Sequence, residues 1–320
     1  MTLVRRVPLF AIIALQIATL SGCSDTLIEG SRPETFTSLA DERETVTLIG
    51  DGGLIECDRS GEGHPVILLH GWPQDRSAWR FVHRILAEDR QVLSCDLPGI
   101  GESTNDKRDF TKTRVGDIVV SSLQRGGYKR AHVIGHDVGG MVAYAIASQH
   151  PEFTSSLTVI EATVPGTEAY EAALGSPAAW YFWFHQAQDV PETIVSNDLD
   201  FYISNFLFSQ SGSEGVPDAD ALAQYLATYR NPATLEAGFE LYRAMPEDAR
   251  QNRSQFDKKL QMPVFAVSAG DAPHMEEMMT GIATNVTGVT IDGKGHWLPE
   301  EASVELSSEI SRFIAQVEGE

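Results

Sequence analysis

An aspartate lies between a predicted strand and a predicted helix, in the segment Gly135-His136-Asp137-Val138-Gly139-Gly140. An apolar run from Ala131 precedes it, and a helical pattern begins at Met141. Small residues on both sides of a position allow a tight, strained turn that leaves one side chain exposed. Asp137 is therefore a candidate nucleophile, although aspartate is also a preferred helix N-cap residue. A carboxylate that attacks an sp³ carbon forms an alkyl ester, which points to epoxide or carbon–halogen substrates.

A histidine near the end of the chain is the candidate base. His296 lies between the last predicted strand and the last predicted helix. Because aspartate is already ionised at neutral pH, we expect His296 to activate the water that hydrolyses the ester. A carboxylate should orient the imidazole and stabilise its protonated form. Two residues compete for this role: Glu161 closes the sixth predicted strand, and Asp271 follows the seventh, where it could equally be a turn residue.

Alternating strand and helix patterns predict a mostly parallel sheet. The predicted strands are Thr45–Ile49, Leu54–Asp58, Pro65–His70, Gln91–Cys95, Ala131–Gly135, Leu157–Glu161, Pro263–Ser268 and Gly288–Ile291. Helices are predicted at Ser77–Glu88, Val115–Gln124, Met141–Ser148 and Ser303–Val317. Between Glu161 and Pro263 the patterns are helical, for example Asp218–Tyr229 and Ala233–Ala244, which predicts an all-helical insertion over the site. We assign residues 45–164 and 246–320 to the core and residues 165–245 to this insertion, the cap.

The N-terminus has the layout of a secretory signal. Arg5 and Arg6 precede an apolar stretch, Val7–Leu20, that is short for a membrane-spanning helix. The following Leu-Ser-Gly-Cys resembles a bacterial lipobox, which implies that Cys23 is lipidated; an ordinary cleaved signal is the alternative. Residues 1–22 are then the signal peptide and residues 23–44 a polar tether. We expect a lipid-anchored protein of the bacterial cell envelope, and Ser24 favours the outer membrane.

Charge and cysteine content restrict the possible partners. A net charge of −21 argues against nucleic acid, because there is no basic surface to displace phosphate counterions. Cys57 and Cys95 remain as a pair in an oxidising compartment, so a disulfide is possible if they lie on neighbouring strands. Two buried free thiols are the alternative.

Taken together, these motifs resemble the epoxide hydrolases of the α/β-hydrolase fold, most closely the Cif-type bacterial enzymes, over residues 45–320. This implies an eight-stranded, mostly parallel sheet with a helical cap inserted after strand 6. The segment around Asp137 resembles the nucleophile elbow of that fold. His70-Gly71-Trp72-Pro73 resembles its oxyanion loop, which implies that the backbone N–H groups of Trp72 and Val138 face the carboxylate. The loop Asp96–Ser103 matches a structural loop of the family.

The resemblance also implies roles for three further residues. Glu161 stands where Cif-type enzymes have their charge-relay glutamate. Tyr181 and Tyr242 occupy the two ring-opening positions, where a phenol can donate a proton to the epoxide oxygen. Cif-type enzymes typically have histidine at the first of these, and two tyrosines are the arrangement of the wider epoxide hydrolase family. Aromatic cap residues suggest an apolar epoxide as substrate.

Two other functions compete with epoxide hydrolysis. Haloalkane dehalogenases use the same aspartyl ester, but their halide-binding tryptophan usually follows the nucleophile, where this chain has Val138; fluoroacetate dehalogenases have an arginine there. A non-catalytic envelope binding or virulence protein on a hydrolase scaffold is the third reading. We expect no cofactor and no metal, and the Cif-type resemblance implies a homodimer.

Overall fold

The computed structural model describes residues 43–270 and 274–319. Its strands are β1 Glu44–Gly50, β2 Gly53–Ser60, β3 Pro65–Leu69, β4 Gln91–Cys95, β5 Ala131–His136, β6 Thr154–Ile160, β7 Val264–Ala269 and β8 Val286–Ile291. Its helices are α1 Arg80–Leu86, α2 Lys112–Arg125, α3 Val138–Gln149, α4 Glu168–Leu174, α5 Trp180–Gln186, α6 Val190–Asn197, α7 Leu199–Gln210, α8 Ala219–Tyr229, α9 Pro232–Arg243, α10 Met245–Arg253, α11 His274–Ile282, α12 Leu298–Glu301 and α13 Ser303–Glu318.

All eight strands belong to one sheet, in the order β1-β2-β4-β3-β5-β6-β7-β8. β2 runs antiparallel to β1 and to β4, and the remaining neighbours are parallel. This confirms the predicted fold class. Because β5 and β6 are parallel neighbours, the residues that follow them, Asp137 and Glu161, lie at the same edge of the sheet. The loop after β8 carries His296 to that edge.

Helices cover both faces of the sheet. Successive side chains of a strand point to opposite faces, so a strand such as β3 contributes to both buried clusters. In β3, Val66 and Leu68 belong to the buried cluster that includes residues of α1 and α13. Ile67 and Leu69 belong to the cluster that includes residues of α2 and α3 and extends into the cap aromatics. Strands buried on both faces are uninterrupted apolar runs, as β3 is in the sequence.

The described residues between β6 and β7 form helices α4–α10 and no strand, as predicted. The two helices predicted there from amphipathic patterns are α8 and α9. The exact limits of the cap at residues 165 and 245 stay a prediction. At the other boundary, Glu44 was assigned to the tether but is the first residue of β1.

Several predictions concern residues outside the described ranges: the signal peptide, Cys23, nearly all of the tether, and the rival relay acid Asp271. The described helices include none with the length and apolar character needed to cross a bilayer. Lipidation and envelope localisation therefore stay predictions.

A disulfide joins β2 to β4. Cys57 and Cys95 are direct partners in the antiparallel register, and both side chains are buried. Their sulfurs are bonded, which decides between the two alternatives that the sequence left open.

The first prediction concerns this bond. Replacing both residues, Cys57→Ala/Cys95→Ala, should lower the free energy of unfolding by about 2–4 kcal/mol, because the bond closes a loop of 38 residues in the unfolded chain. Urea unfolding followed by fluorescence measures this change. Dithiothreitol should lower the urea midpoint of the wild type and leave the double variant unchanged. An identical wild-type midpoint with and without reductant would contradict the disulfide.

Candidate active site

Asp137 lies on a sharp turn between β5 and α3. Its φ of 51° is unfavourable for a residue with a side chain and marks strained backbone. The turn requires glycine on both sides: a Cβ on Gly135 would lie 2.1 Å from the Gly139 carbonyl oxygen, and one on Gly139 would lie 2.3 Å from the Leu69 oxygen. This close approach explains why the Gly-X-Asp-X-Gly spacing is needed.

The Asp137 carboxylate does not cap the helix. Asp137 occupies the N-cap position of α3, but its side chain makes no capping hydrogen bond, so capping does not account for the carboxylate. Instead Oδ1 accepts a hydrogen bond of 2.9 Å from the backbone N–H of Trp72, and Oδ2 lies 3.5 Å from Nε2 of His296. The contact with Trp72 is the one predicted for the oxyanion loop. Val138 begins α3, and its N–H makes no hydrogen bond to this carboxylate among the described contacts, so its role stays a prediction.

His70, at the start of the oxyanion loop, fixes the conformation of that loop. His70 is buried, its Nδ1 lies 2.8 Å from the Gly71 carbonyl, and its Nε2 accepts a hydrogen bond of 3.0 Å from the Leu97 N–H. Burial lowers the pKa of His70, so the ring is neutral and can accept at Nε2. A hydrogen bond between Leu97 and His70 thus joins the loop after β4 to the His-Gly-X-Pro segment.

Glu161 is the carboxylate that reaches His296. Its Oε2 lies 3.5 Å from Nδ1 of His296, on the opposite side of the ring from Asp137. The other oxygen, Oε1, accepts a hydrogen bond of 2.7 Å from the Ala269 N–H and lies 2.8 Å from Nε2 of His274. Glu161 also has a positive φ, 46°, directly after β6. The structure thus places Glu161 against His296, whereas Asp271 lies outside the described residues and the choice between the two relay acids stays a prediction.

Three charged groups share this enclosed site. Burial alone would lower the pKa of His296, but its contacts with Asp137 and Glu161 raise it to about 9. Burial would raise the pKa of both carboxyls. The contacts with His296 and the Trp72 N–H hold the pKa of Asp137 below its ordinary value, and the contacts with His274 and His296 lower the pKa of Glu161 to about 2. At neutral pH an imidazolium therefore lies between two carboxylates.

His136 remains neutral beside this cation. Burial and the positive charge of His296 lower the pKa of His136 to about 4. Its Nε2 lies 2.8 Å from the carbonyl oxygen of His296, so the neutral ring donates there and holds the loop. His136, the residue before Asp137, thus positions the His296 loop, a role that the sequence did not predict.

A buried glutamate organises the His296 loop. The Glu301 carboxylate accepts hydrogen bonds from the backbone N–H groups of Gly295, Trp297 and Gly212, at 2.9–3.1 Å. The His296 N–H donates to the carbonyl of Gln210 at the end of α7. The base is therefore positioned jointly by the core and by the cap. The sequence analysis missed Glu301, since an acidic residue in a first helical turn usually faces solvent.

The two cap tyrosines lie side by side over the site. The ring centroids of Tyr181 and Tyr242 are 6.3 Å apart. Neither phenol has a hydrogen-bond partner among the described residues. Burial and the negative charge of Asp137 raise the pKa of both, so each retains its proton and can donate it. The structure thus brings together Asp137, His296, Glu161, Trp72, Tyr181 and Tyr242.

An aromatic cluster connects these tyrosines to the oxyanion loop. The Trp72 indole packs against His185 and Phe206, with centroids 4.3 and 4.8 Å away, and lies 5.8 Å from the Tyr242 ring. His185, which was not assigned from the sequence, is buried within the cluster and lies 2.8 Å from the Tyr202 hydroxyl. Trp72 therefore contacts the nucleophile through its backbone and the cap through its side chain.

Polar contacts fix the same loop to α8. Tyr229 donates a hydrogen bond of 3.1 Å to the Gln74 carbonyl, and the Thr228 hydroxyl donates one of 2.6 Å to Asp75. Asp75 is buried, so the Thr228 hydroxyl and the Gln224 amide, which both donate to its Oδ2, satisfy a carboxylate that water cannot reach. The position of the oxyanion donor depends on the cap as well as on the sheet.

Comparison with known proteins identifies the family. The family model described as "alpha/beta hydrolase fold" matches residues 64–303, and the chain belongs to this family. The soluble epoxide hydrolase of Corynebacterium sp. (strain C12) is 30% identical over 80% of this chain and 92% of its own length. The fluoroacetate dehalogenase of Burkholderia sp is 29% identical over 82% of this chain and 90% of its own length. The solved structure of Cfl2 from Burkholderia cenocepacia is 32% identical, with a TM-score of 0.77 over 84% of this chain and 95% of that one.

These relatives confirm the resemblance to α/β-hydrolase-fold epoxide hydrolases that the motifs indicated. They include a dehalogenase as well as epoxide hydrolases. The chain is a hydrolase-family protein with epoxide hydrolase relatives.

The second prediction tests the choice of relay acid. Glu161→Gln should lower the pKa of His296 from about 9 by about one pH unit or more, because it removes one of the two charges facing the ring. NMR titration of the labelled imidazole measures this directly. Asp271→Asn is the matched control and should leave the His296 titration unchanged. If Asp271→Asn lowers the pKa of His296 and Glu161→Gln does not, Asp271 is the relay acid.

Proposed function

We propose that this protein hydrolyses an apolar epoxide to a vicinal diol through an alkyl ester on Asp137. The observation that carries the proposal is the position of one carboxylate, which accepts from the Trp72 N–H and faces His296, with two protonated phenols above it. This reaction requires three kinds of group: a nucleophile that is already ionised, a base for the second step, and acids that protonate the leaving oxygen.

In the first step, Asp137 Oδ2 attacks one ring carbon of the epoxide. The carbon–oxygen bond of the ring breaks, and its electron pair becomes the alkoxide oxygen. Tyr181 and Tyr242 donate hydrogen bonds to that oxygen, and one of them transfers its proton. Their raised pKa suits a hydrogen-bond donor that gives up its proton only to a strong base such as an alkoxide.

In the second step, formation of the ester changes His296 from an acid into a base. The esterified Asp137 carries no charge, so one of the two contacts that raise the pKa of His296 to about 9 is lost. The imidazolium gives up its proton and the tyrosinate left by the first step takes one up, so the ring becomes neutral. The neutral ring then takes a proton from water, and the hydroxide attacks the Asp137 carbonyl carbon. The Trp72 N–H stabilises the oxyanion, the acyl–oxygen bond breaks, and the leaving alkoxide takes the proton of the added hydroxyl group. The diol leaves, with Asp137 again a carboxylate and His296 again an imidazolium. Glu161 remains charged and stabilises the imidazolium.

Haloalkane dehalogenation fits the same ester but not the rest of the site. After the nucleophile stands Val138, a buried side chain without a polar hydrogen to hold a departing halide. The dehalogenase relative keeps this reaction as the second candidate.

We also infer an envelope location with a lipid on Cys23, supported by the apolar leader and the Leu-Ser-Gly-Cys sequence. The mass of the mature N-terminal peptide distinguishes a diacylated or triacylated cysteine from a simply cleaved signal. The homodimer implied by the resemblance stays an expectation that sedimentation would test.

The third prediction tests the reaction by trapping its intermediate. His296→Gln should still alkylate Asp137 but hydrolyse the ester at least about 100-fold more slowly, because general base catalysis is lost. Intact-protein mass spectrometry after incubation with an aryl or alkyl epoxide should show an increase equal to the mass of the epoxide.

Two controls make this trapping decisive. Asp137→Ser in the His296→Gln background should give no adduct and no diol. Incubation of the wild type with a bromoalkane should release no halide. Diol formation by Asp137→Ser at the wild-type rate would exclude the ester route, and halide release without diol formation would favour the dehalogenase.

The fourth prediction concerns pH. Alkylation needs ionised Asp137, whose pKa lies below its ordinary value, so this step should persist at pH 5. Hydrolysis needs neutral His296 in the ester form, where loss of the Asp137 charge lowers the pKa of His296 from the value of about 9 that it has beside the charged carboxylate. Acidification from pH 8 to pH 5 should therefore protonate the base of the ester form and slow only the second step. The fraction of enzyme present as ester during turnover, measured after acid quenching, should therefore rise as the pH falls. A falling ester fraction would show that alkylation, not hydrolysis, fails first.

A further inference from the structure

Two histidines and a glutamate meet at the edge of the sheet opposite the active site. His64 precedes β3, His132 lies at the amino end of β5, and Glu318 ends α13. Their ligand atoms all lie within 4.8 Å of one another. Nδ1 of His64 is 2.7 Å from Glu318 Oε1, and Nε2 of His132 is 3.4 Å from the same oxygen. Three residues remote in sequence thus bring nitrogen and oxygen ligand atoms together, in an ion-pair contact between His64 and Glu318 that a bound ion would have to replace.

The surroundings of His132 are those of a metal ligand. The side chain is 1% exposed, and its Nδ1 lies 2.7 Å from the Ser156 hydroxyl. If Nδ1–H donates to Ser156, Nε2 keeps its lone pair and points to His64 and Glu318. Histidine ligands almost always have their second nitrogen fixed in this way, which sets the tautomer and the ring orientation.

Glu318 is held in a similar manner. Its Oε2 lies 2.7 Å from Nη2 of Arg90, which leaves Oε1 directed at the two imidazoles. This contact is an ion pair that orients the carboxylate, and Oε2 accepts no hydrogen bond among the described residues. The charge of Arg90 weakens the attraction for a cation, so the site should bind through its nitrogen ligands and not through excess negative charge.

We propose that His64, His132 and Glu318 bind a divalent ion of the zinc class. Two imidazoles and one carboxylate are a known ligand set for zinc, with water at the fourth tetrahedral position. The site is independent of catalysis: His132 and Asp137 are separated by the length of β5, roughly 17 Å at about 3.3 Å per residue. Its effect would be to join the last turn of α13 to β5 and to the chain before β3.

The proposed site has no sequence motif. The ligands belong to three distant segments, and the sequence analysis accordingly expected no metal. Only the parallel register of β3 and β5, together with the packing of α13, brings them together.

Cobalt and zinc titrations of metal-free full-length protein test the proposal. Wild type should bind one Co²⁺ with the visible absorption bands of a tetrahedral complex, and saturating Zn²⁺ should raise the melting temperature by about 5 °C. His64→Ala should weaken binding at least about tenfold and remove most of the thermal shift. His64 is largely exposed, with 69% of its side chain accessible, so this variant should fold normally.

Two control variants separate this site from others. His150→Ala removes a histidine that contacts Asp117 on a different surface and should bind metal as the wild type does. His296→Gln should also bind as the wild type does, which excludes metal capture by His296 together with Glu161 and His274. Equal binding by wild type and His64→Ala, or absence of stoichiometric binding, would show that the cluster is an ion-pair network only.

Discussion

The structure depends on one imidazolium enclosed between two carboxylates. His296 contacts Asp137 through one ring nitrogen and Glu161 through the other, each at 3.5 Å, in a site that burial would otherwise leave uncharged. Charged groups away from water persist only when they are paired. In the proposed reaction the same pairing controls the protonation of His296: the charged Asp137 keeps the ring protonated, and esterification of Asp137 would remove that support. The order of the two proposed steps follows from this electrostatic coupling.

The His296 loop and the oxyanion loop are each held by contacts with the core and with the cap. The His296 loop surrounds the Glu301 carboxylate and bonds to the end of α7. The oxyanion loop rests on His70 below and is bonded by α8 above, with the Trp72 ring inserted among cap aromatics. The cap therefore does more than cover a pocket, because it completes the positioning of the base and of the oxyanion donor. Tyr242 packs against the Trp72 ring and Tyr181 against Phe206, which belongs to the same aromatic cluster.

Short-range patterns predicted a large part of this arrangement. The eight strands followed from apolar runs, and the elbow followed from glycines that the close approach of Leu69 and Gly139 makes necessary. Contacts between distant segments could not be predicted. Glu301 and His274 look like ordinary surface residues in the sequence, and nothing local indicates that they bond to the catalytic loops. Cys57 and Cys95 could be bonded or free until the antiparallel register of β2 and β4 was known. The role of Glu161 could be predicted only from the resemblance to Cif-type enzymes, and its distance of 3.5 Å from His296 became known only from the structure.

The central claim is that oxygen reaches the product from Asp137 and not directly from water. A single turnover in H₂¹⁸O, with enzyme in excess over an epoxide, tests it. The account predicts a first diol containing only ¹⁶O in its new hydroxyl group, with ¹⁸O recovered in the peptide that carries Asp137. A first diol labelled with ¹⁸O, with an unlabelled Asp137 peptide, would mean that water attacks the epoxide directly and would contradict the account.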